Sequence, residues 1–135
     1  AGAELRLGGL VPETEGAYYP ITLLKDVQPG MAAFDEEIFG PVFSVIQAKD
    51  EEDAIELGNQ TPFGLGAAVF TQDLKKGEEI AKSRLHAGAC FVNDFVKSDP
   101  RLPFGGIKES GYGRELSNYG MMEFVNIKTV VVKNG

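Results

Sequence analysis

The chain has 135 residues, 43% hydrophobic and 24% charged, with 13 Lys and Arg against 20 Asp and Glu for a formal charge of −7. That composition excludes a disordered chain, and the acidic balance argues against nucleic acid or an anionic membrane as partner, since both need clustered Lys and Arg. No apolar run approaches the roughly 18–20 residues of a membrane span. The single cysteine leads to the expectation of a reducing, cytoplasmic setting. With one His and no Cys/His cluster, no metal is expected.

The chain opens on Ala1 rather than Met and runs at once into the alternation Glu4-Leu5-Arg6-Leu7. This is expected of a fragment or a processed start. The alternation predicts a short strand, stopped by Gly8-Gly9. Residues 18–27 are rich in β-formers, with Pro20 at an edge or entry, and Pro29-Gly30 reads as a turn. Residues 34–40 are acidic then apolar, broken by Gly40-Pro41, and 42–48 read as a strand.

Asp50 is a helix N-cap followed by acids at 51–53, which suit the positive end of the helix dipole; the helix ends between Asn59 and Pro62. Residues 66–71 are a short buried strand. Residues 73–85 place Leu74, Ile80, Ala81 and Leu85 at helical spacing, and 89–92 form another apolar strand. Strand–helix–strand–helix–strand order across 42–93 favours a parallel sheet with crossover helices. A long Gly/Pro/Ser-rich loop over 94–113 is expected to be functional. A short helix near 114–119 and an alternating strand over 124–133 complete the chain.

Some signals fail on inspection. Gly106 and Gly111 are spaced like a phosphate loop, but Tyr112 stands where its Lys is needed. Gly111-Tyr112-Gly113 follows a loop rather than a strand, and Leu116 stands where the third Gly of a dinucleotide fingerprint is needed. Cys90 sits among Ala89, Phe91 and Val92, an apolar setting that raises a thiol pKa, so it reads as inert.

Two segments carry more. Glu36-Glu37-Ile38-Phe39-Gly40-Pro41-Val42 sets carboxylates beside an aromatic and a bend, suited to a diol and a flat ring; its plainer reading is a helix end packing one Phe. The run 102–115, from Leu102-Pro103-Phe104-Gly105-Gly106 to Gly113-Arg114-Glu115, allows close backbone approach; its plainer reading is a surface loop.

With Asn59, Thr61-Pro62-Phe63-Gly64-Leu65, Ala67-Ala68-Val69-Phe70-Thr71, Ala87-Gly88, Val92-Asn93, Ser110-Gly111 and Lys128-Thr129-Val130, these segments are collinear over nearly the whole chain. Together they resemble the C-terminal part of the aldehyde dehydrogenase superfamily. The resemblance implies an α/β fold: a three-layer α/β/α arrangement with a mostly parallel sheet, part of the catalytic domain, over 1–112, then a short helix and an oligomerisation strand over 113–135. It implies a small aldehyde substrate and NAD or NADP, bound mostly by regions outside this chain. A homodimer or homotetramer would form through the strand at 124–133.

In that family a cysteine thiolate attacks the aldehyde, hydride passes to the cofactor, and a glutamate-activated water hydrolyses the thioester. Neither the nucleophile's motif nor the base's motif occurs here, and Cys90 does not match the nucleophile. The resemblance therefore implies no catalytic residue in this chain, which alone is expected to be inactive.

By the same resemblance Glu37, more than Glu36, is similar to the glutamate that holds the nicotinamide ribose, and Phe39 to the aromatic beside the nicotinamide. Phe104 resembles a wall of the substrate tunnel. The loop 96–104 resembles the succinate-semialdehyde dehydrogenase branch. There a Ser five residues after the Asn of the Val-Asn pair binds the distal carboxylate, and this implies that role for Ser98. Arg101 is a further candidate in that loop. The alternatives are an aldehyde dehydrogenase of other substrate with Ser98 as a turn residue, or a non-catalytic module or remnant of the same fold.

Overall fold

A computed structural model describes residues 2–135. The described residues fall into two compact units, one ending at Thr61 and one beginning at Pro62. The class is α/β.

The first unit is built on a three-stranded sheet. Strand β1 (Glu4–Leu7) pairs antiparallel with β2 (Thr22–Lys25), and β2 pairs in parallel with β3 (Val42–Ser44). The parallel pair is joined across 26–41, which holds the short helix α1 (Ala32–Asp35). Gly8, at φ +74, makes the exit from β1, and a Cβ there would lie 2.1 Å from the Ile21 carbonyl oxygen. Buried Thr22 satisfies its hydroxyl by donating to the Pro20 carbonyl and accepting from the Gly9 amide, both at 3.0 Å.

Helix α2 (Glu51–Gln60) starts where its sequence dictates. The Asp50 carboxylate accepts from the Asp53 amide, and the Asp53 carboxylate accepts from the Lys49 amide, both at 2.9 Å.

The second unit carries two small sheets. Strand β4 (Phe63–Gly64) pairs antiparallel with β7 (Ile107–Lys108). Strand β5 (Gly66–Val69) pairs in parallel with β6 (Ala89–Val92), in register from Gly66↔Ala89 to Val69↔Val92. Helix α3 (Leu74–Ser83), capped by the Asp73 carboxylate on the Lys76 amide at 3.1 Å, crosses between them and packs on both. Gly77 allows the close approach of helix and sheet, since a Cβ there would meet the Thr71 and Val92 methyls at 2.7 and 2.8 Å. Helix α4 (Ser117–Met122) follows.

Several expectations shift. Parallel pairing needs a crossover of a dozen residues or more. The chain supplies two, across 26–41 and 70–88, so it has two parallel pairs in separate sheets, and β3 belongs with β2. The β3 ladder stops at Ser44 rather than reaching residue 48. The last helix begins at Ser117, not 114, because Glu115 bridges to Phe104 and Leu116 adopts φ +64. The long loop contains β7, whose two residues carry no periodic signal. The alternating segment 124–133 forms no strand pairing among the described residues, and Phe124, Ile127, Val130, Val131 and Val132 are exposed. A strand is defined by its ladder, and this segment has no partner strand among the described residues.

Among the described residues only Val27, Ile55 and Ile80 are buried large apolar side chains. No helix among them is long and apolar enough to cross a membrane.

Candidate functional site

In the first unit, residues 37–41 join α1 to β3 and are held at both ends. The Glu36 amide donates to the Ala32 carbonyl at 2.9 Å, and the Ser44 hydroxyl ties β3 to the Ala33 carbonyl at 2.8 Å. The Thr22 amide donates to the Pro41 carbonyl at 2.8 Å. Between these anchors Glu37 is exposed, and Phe39 is 88% exposed with a left-handed backbone at φ +49. A bulky residue in that region carries strain on the order of 1–3 kcal/mol, a feature that clusters at ligand clamps. The loop thus presents a carboxylate and a flat apolar ring, the acceptor and the surface that a ribose diol and a nicotinamide need. These residues fit that part of a dinucleotide.

In the second unit the loop bearing Ser98 leaves the carboxyl end of β6, next to that of its parallel partner β5. Such ends are where open α/β sheets place ligands. Asn93, at φ +55, makes the exit: its amide donates to the Thr71 carbonyl and accepts from the Thr71 amide, both at 2.8 Å. Its own backbone amide adds one more rung, to the Val69 carbonyl.

Ser98 follows, exposed, its hydroxyl without a partner among the described residues. It is flanked by two ion pairs of the loop itself, Lys97 with Asp94 and Arg101 with Asp99, each at 2.6 Å. The Arg101 fork donates from Nε and Nη2 to the two Asp99 oxygens, and the Arg101 amide adds a third bond at 2.9 Å. These bonds hold the Asp99 carboxyl far below the usual carboxylate range. Lys97 lowers Asp94 in the same way. Arg101 is therefore committed to Asp99 rather than standing as a free cation beside Ser98.

Phe104 is half-buried and held by its backbone, which exchanges hydrogen bonds of 2.9 and 2.8 Å with Glu115. The glycine-rich run behind it closes on itself. Arg114 Nη1 donates to the Gly106 and Gly113 carbonyls at 3.1 and 2.6 Å, and the Ser110 hydroxyl accepts from the Gly64 amide at 2.9 Å. Gly88 lies under this run, where a Cβ would sit 1.7 Å from the Gly105 carbonyl oxygen. Phe104 lines a concavity of about 480 Å3 with Leu65, Gly106 and Tyr112; Ser98 does not line it.

Cys90, in mid-β6, is half-buried, and burial pushes its thiol up while a hydrogen bond with the Ala87 backbone pulls less strongly the other way. A thiol so placed is a poor nucleophile. No group of three potential metal ligands occurs among the described residues. Sequence reasoning assigned no task to Asn93, Asp99, Ser110 or Arg114. The one signal for Asn93 is its type, since Asn tolerates left-handed backbone at the end of a strand.

The model of the aldehyde dehydrogenase family matches residues 1–130. The chain belongs to that family. It is 50% identical over 129 residues to the succinate semialdehyde dehydrogenase [NAD(P)+] Sad of Escherichia coli strain K12, a match covering 96% of this chain and 28% of the relative. It is 48% identical to a probable succinate-semialdehyde dehydrogenase [NADP(+)] of Synechocystis, with the same coverage. Among solved structures, one described as giving insights into cofactor and substrate selection by Gox0499 superposes with a TM-score of 0.92 at 43% identity. That match covers 98% of this chain and 29% of the other. This aldehyde dehydrogenase chain thus spans little more than a quarter of the relatives it matches. Those relatives are NAD(P)-dependent enzymes by name.

Proposed function

We propose that this chain is the part of an NAD(P)-dependent aldehyde dehydrogenase that positions cofactor and substrate, and that the substrate is succinate semialdehyde, oxidised to succinate. The observation that carries the substrate reading is Ser98. Its hydroxyl is exposed and unpartnered, on a loop pinned by Asn93 at one end and by the Phe104–Glu115 bridge at the other. A hydroxyl donates to a carboxylate oxygen with little bulk. The names of the relatives support the same substrate. Because Arg101 is engaged by Asp99, the positive charge opposite the substrate carboxylate comes from outside this chain.

In this reading Glu37 accepts hydrogen bonds from the ribose diol and Phe39 backs the ring, which fixes the face presented to the substrate. The nicotinamide, when bound, takes up the hydride. Phe104 forms an apolar wall that keeps the aldehyde end aligned. The nucleophile and the base belong to regions outside these 135 residues. Residues 1–112 form the end of the catalytic domain, and 113–135 a helix and an oligomerisation strand. The apolar alternation over 124–133, exposed and unpaired here, supports its addition to a neighbouring subunit's sheet in a homodimer or homotetramer. A cytoplasmic location is in keeping with the lone cysteine.

The test is Ser98→Ala in a full-length enzyme containing this chain. A hydrogen bond to a charged group is worth about 1.5–3 kcal/mol, so kcat/KM for succinate semialdehyde falls roughly 10- to 150-fold while butanal is spared. The loss lies mainly in KM, because the carboxylate is remote from the reacting carbon. Equal effects on both aldehydes would remove the semialdehyde assignment.

A further inference from the structure

Among the described residues the Ser98 hydroxyl has no partner, so its direction depends on the backbone beside it. That backbone runs from a bend at Asn93 and Asp94 to a turn at Pro100 and Arg101, and each of the two carries side-chain bonds. Upstream, Asp94 accepts from the Phe95 amide at 2.8 Å and from Lys97 Nζ at 2.6 Å. Downstream, Asp99 takes the three bonds from Arg101, and its carbonyl accepts from the Leu102 amide at 2.9 Å.

The two sets of bonds differ in geometry. Lys97 is a point charge on a flexible stem, with one bond to Asp94. Arg101 meets Asp99 as a planar fork, which fixes orientation as well as distance. The Asp99 side chain is 29% exposed against 47% for Asp94. The turn is further held from behind, where the Ser117 amide donates to the Pro100 carbonyl at 3.1 Å.

We propose that Asp99 is the positioning residue for Ser98: by gripping Arg101 it locks the turn that aims the Ser98 hydroxyl, and so sets the preference for a carboxylated aldehyde. This rests on the reading of Ser98 given above. Asp99 itself touches no substrate. Its charge would repel a carboxylate, and Arg101 cancels that charge where it stands. Arg101, in turn, works through Asp99 and not through the substrate.

Asp99→Ala separates bracing from charge, because the two act in opposite directions. Loss of the brace lets Ser98 wander and raises KM. Release of a free Arg101 cation near Ser98 would attract the substrate carboxylate and lower KM.

In a full-length enzyme containing this chain, kcat and KM are measured for succinate semialdehyde and for butanal in Ser98→Ala, Asp99→Ala, Asp99→Asn and the Ser98→Ala/Asp99→Ala double variant. For Asp99→Ala the expected KM for succinate semialdehyde rises roughly 3- to 10-fold, with kcat and both butanal constants within about twofold. Asp99→Asn, which keeps an acceptor for the Arg101 amide, restores part of the loss. In the double variant the Asp99 change adds less than about twofold to the Ser98 loss, since the brace has nothing left to aim. A selective Ser98→Ala loss with no selectivity in Asp99→Ala, with a lower KM in Asp99→Ala, or with multiplying losses in the double variant overturns the positioning role and leaves the substrate reading intact. A non-selective Ser98→Ala overturns both.

Discussion

The Asn93 side chain holds Thr71 by two hydrogen bonds of 2.8 Å, one given and one taken, where the ladder between β5 and β6 ends. An amide has the same donor and acceptor as a peptide group, so Asn93 adds a side-chain rung to the sheet just before the chain turns away toward Ser98. Its backbone at φ +55 is one that Asn tolerates better than most side chains. The start of the loop that bears Ser98 is thereby tied to the sheet.

Asn93→Ala is therefore expected to free the Thr71 amide, which loses its acceptor, at a local cost of about 0.5–1.5 kcal/mol. Hydrogen exchange at Thr71 accelerates, while the Gly88 amide, bonded to the Gly64 carbonyl at 2.9 Å, keeps its protection. Unchanged exchange at Thr71 would mean that the Asn93 amide does not hold the end of the sheet.

Glu37→Gln, in a full-length enzyme, is expected to slow hydride transfer more than it weakens cofactor binding. The amide keeps one acceptor but loses the charge-assisted bonds to the ribose diol, so the ring drifts while the far end of the cofactor stays bound. A displacement of about 1 Å in such a step can cost on the order of 100-fold. Single-turnover kinetics reports the step, and equilibrium titration of the cofactor reports binding. An unchanged hydride step would take Glu37 out of the site.

Much of the framework was legible because it is local. Asp50 caps the helix that follows it, and the apolar runs expected at 66–71 and 89–92 pair in parallel over 66–69 and 89–92, as a strand–helix–strand unit requires. What escaped reading depends on contacts within loops. Nothing in the string 97–102 tells that Arg101 turns back onto Asp99 rather than toward a ligand. Nothing around Ser110 and Arg114 tells that they close the glycine-rich run onto Gly64, Gly106 and Gly113. Backbone strain at Phe39 is equally silent, because a Phe-Gly-Pro string does not say which residue takes the left-handed turn. The segment 124–133 shows the opposite limit. Its alternation is plain, but pairing is a property of two strands, and no partner for it lies among the described residues.

The central claim is that this chain positions substrate and cofactor but carries none of the covalent chemistry, and one comparison tests it directly. NAD(P)H formation from succinate semialdehyde is followed for the 135-residue chain alone and for a full-length enzyme containing it, each with and without Cys90→Ser. The account predicts no turnover above blank for the chain alone, and full-length turnover that survives Cys90→Ser, because burial pushes that thiol up and makes it a poor nucleophile. Turnover by the isolated chain, or its loss on replacing Cys90, would contradict it.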